Sequence, residues 1–126
     1  YASTLLDYAG IPIPSDMQGH SLRSILSGTR PTNWRTSMYY RYWMHLAHFN
    51  VPAHYGIRTD RYKLIHYYGE SDGATGAIDQ ATPPEWELFD LNKDPKEMKN
   101  TYYSLEYAGV ISELKAELEK LQTALY

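Results

Sequence analysis

The chain of 126 residues is long enough for one domain with a modest core, and its 43% hydrophobic residues provide the apolar area for that core. The absence of cysteine excludes disulfides, thiolate metal sites and cysteine nucleophiles within these residues. With a net charge of −3 and no apolar run of membrane-spanning length, we expect neither nucleic acid nor a membrane as a partner. Tyr1 enters a helical pattern directly, which suggests an internal cut in a longer protein.

The charge is distributed unevenly along the chain. Residues 30 to 68 carry six Lys and Arg against one Asp, a balance of +5, so the remaining residues carry −8. Four of the five histidines also fall in this basic block. A local basic block rich in His and Tyr, set in an acidic protein, suggests an anionic ligand.

The first third of the chain is predicted to be short helices and linker. Residues 3–9 have the pattern of a helix that ends at Gly10, and Pro12 and Pro14 hold the next residues extended. A short helix is predicted over residues 20–26, before a linker over residues 29–33. This segment has no core of its own, so we expect it to pack on another domain.

From residue 34 the pattern changes to strands. Alternating side chains predict a strand over residues 37–44, a hairpin over residues 54–68 and a short strand over residues 86–91. The loop from 69 to 84 is rich in Gly, Asp, Thr and Pro, and a loop of that length is usually functional or disordered. One helical turn is predicted over residues 95–100, capped by Asp94.

Apolar residues repeat at intervals of three and four near the end of the chain: Ile111, Leu114, Leu118, Leu121 and Leu125. This stripe predicts a long helix that packs on the sheet and starts near Ser104 or Ser112; a coiled-coil helix is the minor alternative. The expected fold is α+β, a small antiparallel sheet of about four strands packed by a long C-terminal helix, with a helical fringe before it.

Five strings, in this order, resemble the C-terminal end of bacterial type I sulfatases, the formylglycine-dependent enzymes that act on polysaccharides and glycosaminoglycans: TLLDYAGIPIPSDMQGHSLRSILSG, YYRYW, NVPAHYGIRTDRYKLIHYY, WELFDLNKDPKEMKN and ISELKAELEKLQ. They cover nearly the whole chain. The resemblance implies that residues 1–33 are the fringe of an α/β catalytic domain and that residues 34–126 form the C-terminal subdomain.

The resemblance also implies a parent enzyme that hydrolyses sulfuric esters on sulfated glycans in the periplasm or outside the cell. Calcium and formylglycine would belong to its catalytic domain. The Cys-x-Pro/Ala-x-Arg signature is absent, so we expect these residues alone to be inactive, with no catalytic residue, metal ligand or cofactor of their own. The expected partners are the missing catalytic domain and a sulfated carbohydrate.

The resemblance points to the leading edge of the hairpin as a place for substrate contacts. His54 and Arg58 share one side of their strand, and Gly56 between them leaves room for a ligand. Imidazole and guanidinium suit a sugar hydroxyl, a carboxylate or a sulfate oxygen. We therefore predict that His54, together with His48 from the preceding loop, lines the substrate cleft. Arg58 either joins them or forms an ion pair with the large domain.

Three further interpretations stay open. His45, His48 and His54 could bind zinc, although no carboxylate or thiolate accompanies them. Aromatic residues could form a sugar-stacking platform, although packing is the more frequent role of such groups: Trp34, Trp43, Trp86, Tyr39, Tyr40 and Tyr42. The whole chain could instead be a stand-alone module that binds anionic glycans, or, less in keeping with its negative charge, a binder of single-stranded nucleic acid.

Overall fold

The computed structural model describes residues 1–125, whose contacts divide into two compact units, Tyr1–Arg35 and Thr36–Tyr126. The predicted boundary after residue 33, and the assignment of the first unit to the edge of another domain, stay predictions. Over the described residues, the helices all lack either the length or the apolar character needed to cross a membrane.

The first unit contains two short helices, α1 (Ala2–Tyr8) and α2 (Arg23–Leu26). The second helix begins three residues later than predicted, because the backbone before it bonds elsewhere. The amide of Leu22 donates to the hydroxyl of Thr4 at 3.0 Å, and the hydroxyl of Ser21 accepts from the amide of Arg23 at 3.1 Å. These bonds hold the residues before α2 outside the helical path.

Helix α1 turns its polar residues inward. Ser3 and Thr4 are its buried residues, whereas Leu5 is 68% exposed and Tyr8 is 55% exposed. The Ser3 hydroxyl donates to the carbonyl of Gly19 at 2.7 Å, so side-chain hydrogen bonds hold this unit together. Its apolar side chains are left without a core within the unit.

The second unit contains a four-stranded antiparallel sheet whose strands follow chain order from one edge to the other: β1 (Ser37–Tyr42), β2 (His54–Thr59), β3 (Tyr62–Tyr67) and β4 (Glu85–Asp90). This arrangement confirms the predicted sheet and hairpin. Strand β1 ends two residues earlier than predicted, because the carbonyl of Trp43 accepts a bond from the amide of His45 at 2.8 Å and closes a turn.

A 3₁₀ turn (Leu105–Tyr107) leads into helix α3 (Ala108–Thr123), which packs on one face of the sheet. The helix begins between the two predicted serines, with Tyr107 as its N-cap residue. The core between helix and sheet consists of six buried residues: Ile57, Leu64, Leu88, Tyr107, Leu114 and Leu118. The α+β prediction is therefore confirmed.

The predicted helical turn over residues 95–100 is wrong. This segment forms only turns and bends, and Glu97 has a φ of 54°, which no right-handed helix contains. Asp94 still accepts a backbone bond, from the amide of Lys99 at 2.8 Å. The capping chemistry is present, but the left-handed residue stops helix formation.

The strand register sorts the side chains onto two faces. Tyr39, Ile57 and Leu64 stand side by side on the face that packs against α3, which we call the helix face. Because neighbouring residues in a strand point to opposite sides, His54, Gly56 and Arg58 belong to the other face. We call this second surface the open face.

Candidate functional site

A row of four side chains crosses the open face at one end of the sheet. Residues Tyr42, His54, Tyr67 and Glu85 are direct neighbours across the four strands. We call this set the tyrosine–histidine row. It contains His54, the main residue that the sequence predicted for substrate contact, and it places an aromatic side chain on either side of the imidazole.

The imidazole of His54 is held in one orientation. Its ring stacks on Tyr42 with centroids 5.3 Å apart, lies 5.1 Å from the ring of Tyr67, and meets Tyr40 edge-on at 6.2 Å. Its Nδ1 lies 2.9 Å from the carbonyl oxygen of Pro52. Because a carbonyl can only accept, Nδ1 carries the proton and the neutral ring keeps its lone pair on Nε2.

Nε2 of His54 has no hydrogen-bond partner within residues 1–125. The neutral side chain therefore presents an acceptor to a ligand, and only the protonated form would present a donor. A sugar hydroxyl matches the neutral form, because it can donate to Nε2. A sulfate oxygen can only accept and needs the charged imidazolium.

Arg58 does not lie beside His54. The two residues are four positions apart on β2, a separation of about 13 Å along an extended strand. The ring of Tyr40 lies between them on Gly56, where a Cβ atom would come within 2.6 Å of the Tyr40 hydroxyl. The room predicted for a ligand at Gly56 is thus filled by the protein itself. The Arg58 guanidinium donates to the carbonyl of Thr59.

His48 is exposed in the loop between β1 and β2. Its side chain makes no hydrogen bond, ion pair or ring contact with another described residue. The structure thus leaves His48 apart from His54. The roles of His54, His48 and Arg58 in binding a substrate stay predictions.

Much of the basic block is neutralised within the fold. Arg41 pairs with Asp72 at 2.8 Å, Arg61 with Asp90 at 2.8 Å, and Lys63 with Glu97 at 2.5 Å. These three cations are therefore not free to bind an anionic ligand. This weakens the prediction of an anionic ligand that was drawn from the local charge of +5.

The pair of Arg61 and Asp90 is the most deeply placed of these. Asp90 is 1% exposed, receives two bonds from the Arg61 guanidinium at 3.0 and 2.8 Å, and accepts a third from the Tyr107 hydroxyl at 3.2 Å. The Arg61 bonds lower the pKa of Asp90 to about 2. This arrangement ties the hairpin turn to the end of β4 and is structural.

His45 is a structural residue in the part of the chain that was considered for zinc. It is fully buried, its Nε2 donates to the carbonyl of Gln80 at 2.9 Å, and its Nδ1 accepts from the amide of Ala53 at 2.9 Å. Both ring nitrogens are thus occupied. Among residues 1–125, His, Cys, Asp and Glu form no group of three or more that could hold a metal ion.

The two tryptophans of the second unit have separate surroundings. Trp86 lies on the helix face, stacked on His66 at 4.3 Å with Lys115 4.0 Å above its ring. Trp43 is 44% exposed and lies under the Arg41 guanidinium at 3.6 Å. Trp34 belongs to the other compact unit. Of the tyrosines in that prediction, Tyr40 and Tyr42 lie on the open face beside His54, and Tyr39 packs on the core.

A cleft of about 480 Å³ opens beside the tyrosine–histidine row. Its lining combines the apolar groups of Val51, Pro52 and Pro83 with the polar groups of Asn50, Tyr67, Thr82, Glu85 and Glu87. Pro52 and Tyr67 both contact His54 as well, so the cleft and the row are continuous.

The acidic part of this cleft is organised around Tyr67. Its hydroxyl donates to Glu87 at 3.1 Å, and burial together with the Glu87 charge raises the pKa of Tyr67 to about 12. The sequence interpretation missed Glu85 and Glu87, because it started the last strand at Trp86 and did not consider these two carboxylates as ligand contacts. Two carboxylates spaced by two residues, at the entry to a strand, were the available signal.

Comparison with known proteins identifies the family of this chain. The family model described as N-sulphoglucosamine sulphohydrolase, C-terminal, matches residues 1–124. An N-acetylglucosamine-6-O-sulfatase of Bacteroides thetaiotaomicron is 42% identical over 97% of the chain, and human arylsulfatase K is 38% identical over 77% of it. The chain spans only 20% and 17% of the length of these two relatives.

A solved structure of a protein in complex with its substrate, D-glucosamine-2-N,6-O-disulfate, superimposes with a TM-score of 0.81. That protein is 42% identical, and the match covers 97% of this chain and 23% of the other. The fold, the matched family model and the sequence identity agree. The chain therefore belongs to the sulfatase family that shares the C-terminal domain of N-sulphoglucosamine sulphohydrolase.

Proposed function

We propose that this chain is the C-terminal domain of an enzyme that hydrolyses sulfuric esters on sulfated glycans, and that the tyrosine–histidine row contributes to its substrate cleft. The family match over residues 1–124 carries the proposal. The relative named as an N-acetylglucosamine-6-O-sulfatase makes a 6-sulfated glucosamine unit the first substrate to test.

The chemical step would belong to the rest of the enzyme. Formylglycine forms from a cysteine in the signature considered above, and this chain has no cysteine. The described residues also offer no cluster of three or more metal-ligating side chains for calcium. Neither group fits the residues present here, so we assign this domain the role of holding substrate. We also propose, from the family, that the enzyme works in the periplasm or outside the cell.

The orientation of His54 supports its role in the cleft. Three aromatic rings and the Pro52 carbonyl fix the imidazole, and Nε2 stays available for a ligand. A side chain held in this way loses little conformational freedom when it binds, which favours a binding role. The neutral ring would accept a hydrogen bond from a hydroxyl of the substrate.

A stand-alone module for anionic glycans has less support. It needs free cations, and Arg41, Arg61 and Lys63 are paired with carboxylates. The family match spans both compact units, and its relatives are much longer than this chain.

The proposal is tested by replacing His54 with alanine in the full-length enzyme and measuring sulfate release from N-acetylglucosamine 6-sulfate glycans. We expect kcat/KM to fall by about tenfold to a hundredfold, the range for one lost hydrogen bond to a substrate group. Glu113→Gln, an exposed position on α3, is the matched control and should retain full activity. Unchanged kcat/KM in His54→Ala would remove His54 from the cleft.

The other two predicted contacts are tested in the same assay. His48→Ala should have less effect than His54→Ala, because the His48 side chain has no contact that holds it in place. Arg58→Ala should also have a small effect, because its guanidinium already donates to the Thr59 carbonyl. A loss for either variant as large as that of His54→Ala would show that the rest of the enzyme brings that side chain to the substrate.

A further inference from the structure

The cleft beside the tyrosine–histidine row has a chemical character that the family match does not supply. Its polar side chains are the carboxylates of Glu85 and Glu87, the phenol of Tyr67, the amide of Asn50 and the hydroxyl of Thr82, and no Lys, Arg or His is among the residues that line it. The cleft therefore carries negative charge in a protein whose proposed substrate is also negative. The like charges of Glu85 and Glu87 therefore favour an uncharged part of an anionic substrate in this region.

The charged groups that line the cleft are hydrogen-bond acceptors. The carboxylate of Glu85 is exposed and has no partner within residues 1–125. The carboxylate of Glu87 accepts one bond, from Tyr67 at 3.1 Å, and keeps further lone pairs. Nε2 of His54, next to the cleft, is a third acceptor when the ring is neutral. Such a set matches the hydroxyl donors of a sugar.

The apolar part of the lining fits the same ligand. Val51, Pro52 and Pro83 supply surface without hydrogen-bonding side chains, and the Tyr67 ring adds an aromatic face. A sugar ring has apolar C–H groups beside its hydroxyls, so it can contact both parts of this lining. A sulfate or a carboxylate would meet the like charges of Glu85 and Glu87 there, and among the lining residues Asn50 and Thr82 offer it only neutral donors.

We propose that this cleft binds an uncharged sugar unit next to the sulfated one, and that Glu85 and Glu87 discriminate against a uronate or a second sulfate at that position. The inference rests on the proposed sulfatase function, and it specifies the neighbour of the reacting sugar. Like charges near a protein surface, partly screened by salt, should disfavour the charged neighbour by roughly tenfold.

The test compares two disaccharide substrates in the full-length enzyme. Both carry N-acetylglucosamine 6-sulfate, which is joined to galactose in one and to glucuronate in the other. We expect the wild-type kcat/KM to be about tenfold higher for the galactose compound. The double variant E85Q/E87Q should bring the two values within about twofold of each other, mainly by raising the value for the glucuronate compound.

Two single variants test whether the double substitution acts only through the charge in the cleft. Glu85→Gln alone changes an exposed side chain without internal bonds, so it should fold normally and narrow the ratio by about threefold. Glu113→Gln removes the same charge from α3, which packs on the opposite face, and should leave the ratio unchanged.

The outcomes separate the inference from the function on which it rests. Equal wild-type rates on both disaccharides, or an unchanged ratio in E85Q/E87Q and Glu85→Gln, would overturn the inference and leave the sulfatase function standing. If neither disaccharide loses sulfate, the proposed function falls and the inference falls with it.

Discussion

The two faces of the sheet use the same kinds of residue for different purposes. On the helix face, His66 and Trp86 are stacked under the side chain of Lys115, beside the closed core. On the open face, His54 is stacked between tyrosines but keeps one ring nitrogen free. Each ring keeps an unbonded nitrogen among residues 1–125, but Nδ1 of His66 is buried, whereas Nε2 of His54 lies on the open face. An unbonded imidazole nitrogen can therefore serve a ligand only where a ligand can reach it.

The largest expected loss of stability comes from a cavity in the core between α3 and the helix face. Leu64 is fully buried at the centre of the sheet, so Leu64→Ala should lower the free energy of unfolding by about 3 kcal/mol. Met38 on the open face is 47% exposed, and Met38→Ala should cost less than about 1 kcal/mol. Urea unfolding of both variants measures the difference. Similar losses would mean that the two faces are packed alike.

The next effect concerns the ion pair of Arg61 and Asp90, at the edge of the helix face. Asp90→Asn should cost about 2 kcal/mol, less than for a fully buried pair because the Arg61 side chain is 46% exposed. Asp72→Asn, which breaks the exposed pair with Arg41, should cost less than about 1 kcal/mol.

The same pair makes stability depend on pH in a defined direction. The pKa of Asp90 is lowered to about 2 by Arg61, from an ordinary value of 3.8. The stability that it contributes is therefore fully present above pH 3.8 and is lost as the pH falls through 2. In acid unfolding, the stability of Asp90→Asn should not show this fall between pH 3.8 and 2. If wild type and Asp90→Asn lose stability with the same dependence on pH, the lowered pKa of Asp90 is contradicted.

His66 should produce a smaller effect, nearer neutral pH. Burial, and next the charge of Lys115, lower the pKa of His66 below its ordinary value of 6.5. Its contribution to stability is full above pH 6.5 and is lost as the pH falls through the lower pKa of the folded state. His66→Phe keeps the stacking on Trp86 and should flatten the curve of stability against pH just below pH 6.5.

The elements of the sheet could be predicted from sequence because their signals are local. The alternation along residues 54–67 and the stripe that contains Leu114 and Leu118 depend only on the chain's own periodicity, and both are confirmed. The failed helical turn at residues 95–100 depends on one backbone angle, at Glu97, which no composition rule specifies. Boundaries shifted where a distant group, such as the Thr4 hydroxyl, took a backbone bond.

The candidate site was harder to predict because it depends on pairing across strands. Nothing local distinguishes Arg61, which is bonded to Asp90 some 29 residues away, from a cation that is free to bind a ligand. The cleft unites residues that precede β2 with residues that begin β4, so Glu85 approaches Pro52 only once the sheet has formed. The face of β2 on which His54 lies was predictable from the alternation of the strand, but the fixed orientation of its ring depends on neighbours that only the register reveals.

The smallest effect compares two buried phenols, one on each face. The Tyr40 hydroxyl on the open face is buried without a hydrogen-bond partner among residues 1–125, and burial raises its pKa above the ordinary value. The Tyr107 hydroxyl on the helix face donates to Asp90 at 3.2 Å. A buried hydroxyl without a partner has lost its hydrogen bonds to water and has gained none within the protein. Tyr40→Phe should therefore leave the free energy of unfolding unchanged or raise it by up to about 1 kcal/mol. Tyr107→Phe should cost about 1 kcal/mol, because it removes a bond to a charged acceptor.

If Tyr40→Phe instead destabilises as much as Tyr107→Phe, the Tyr40 hydroxyl must bond to a water or to another part of the enzyme. In that case the open face at Tyr40 would be an interior surface of the whole protein, and only the end of the face at His54 would remain for the substrate.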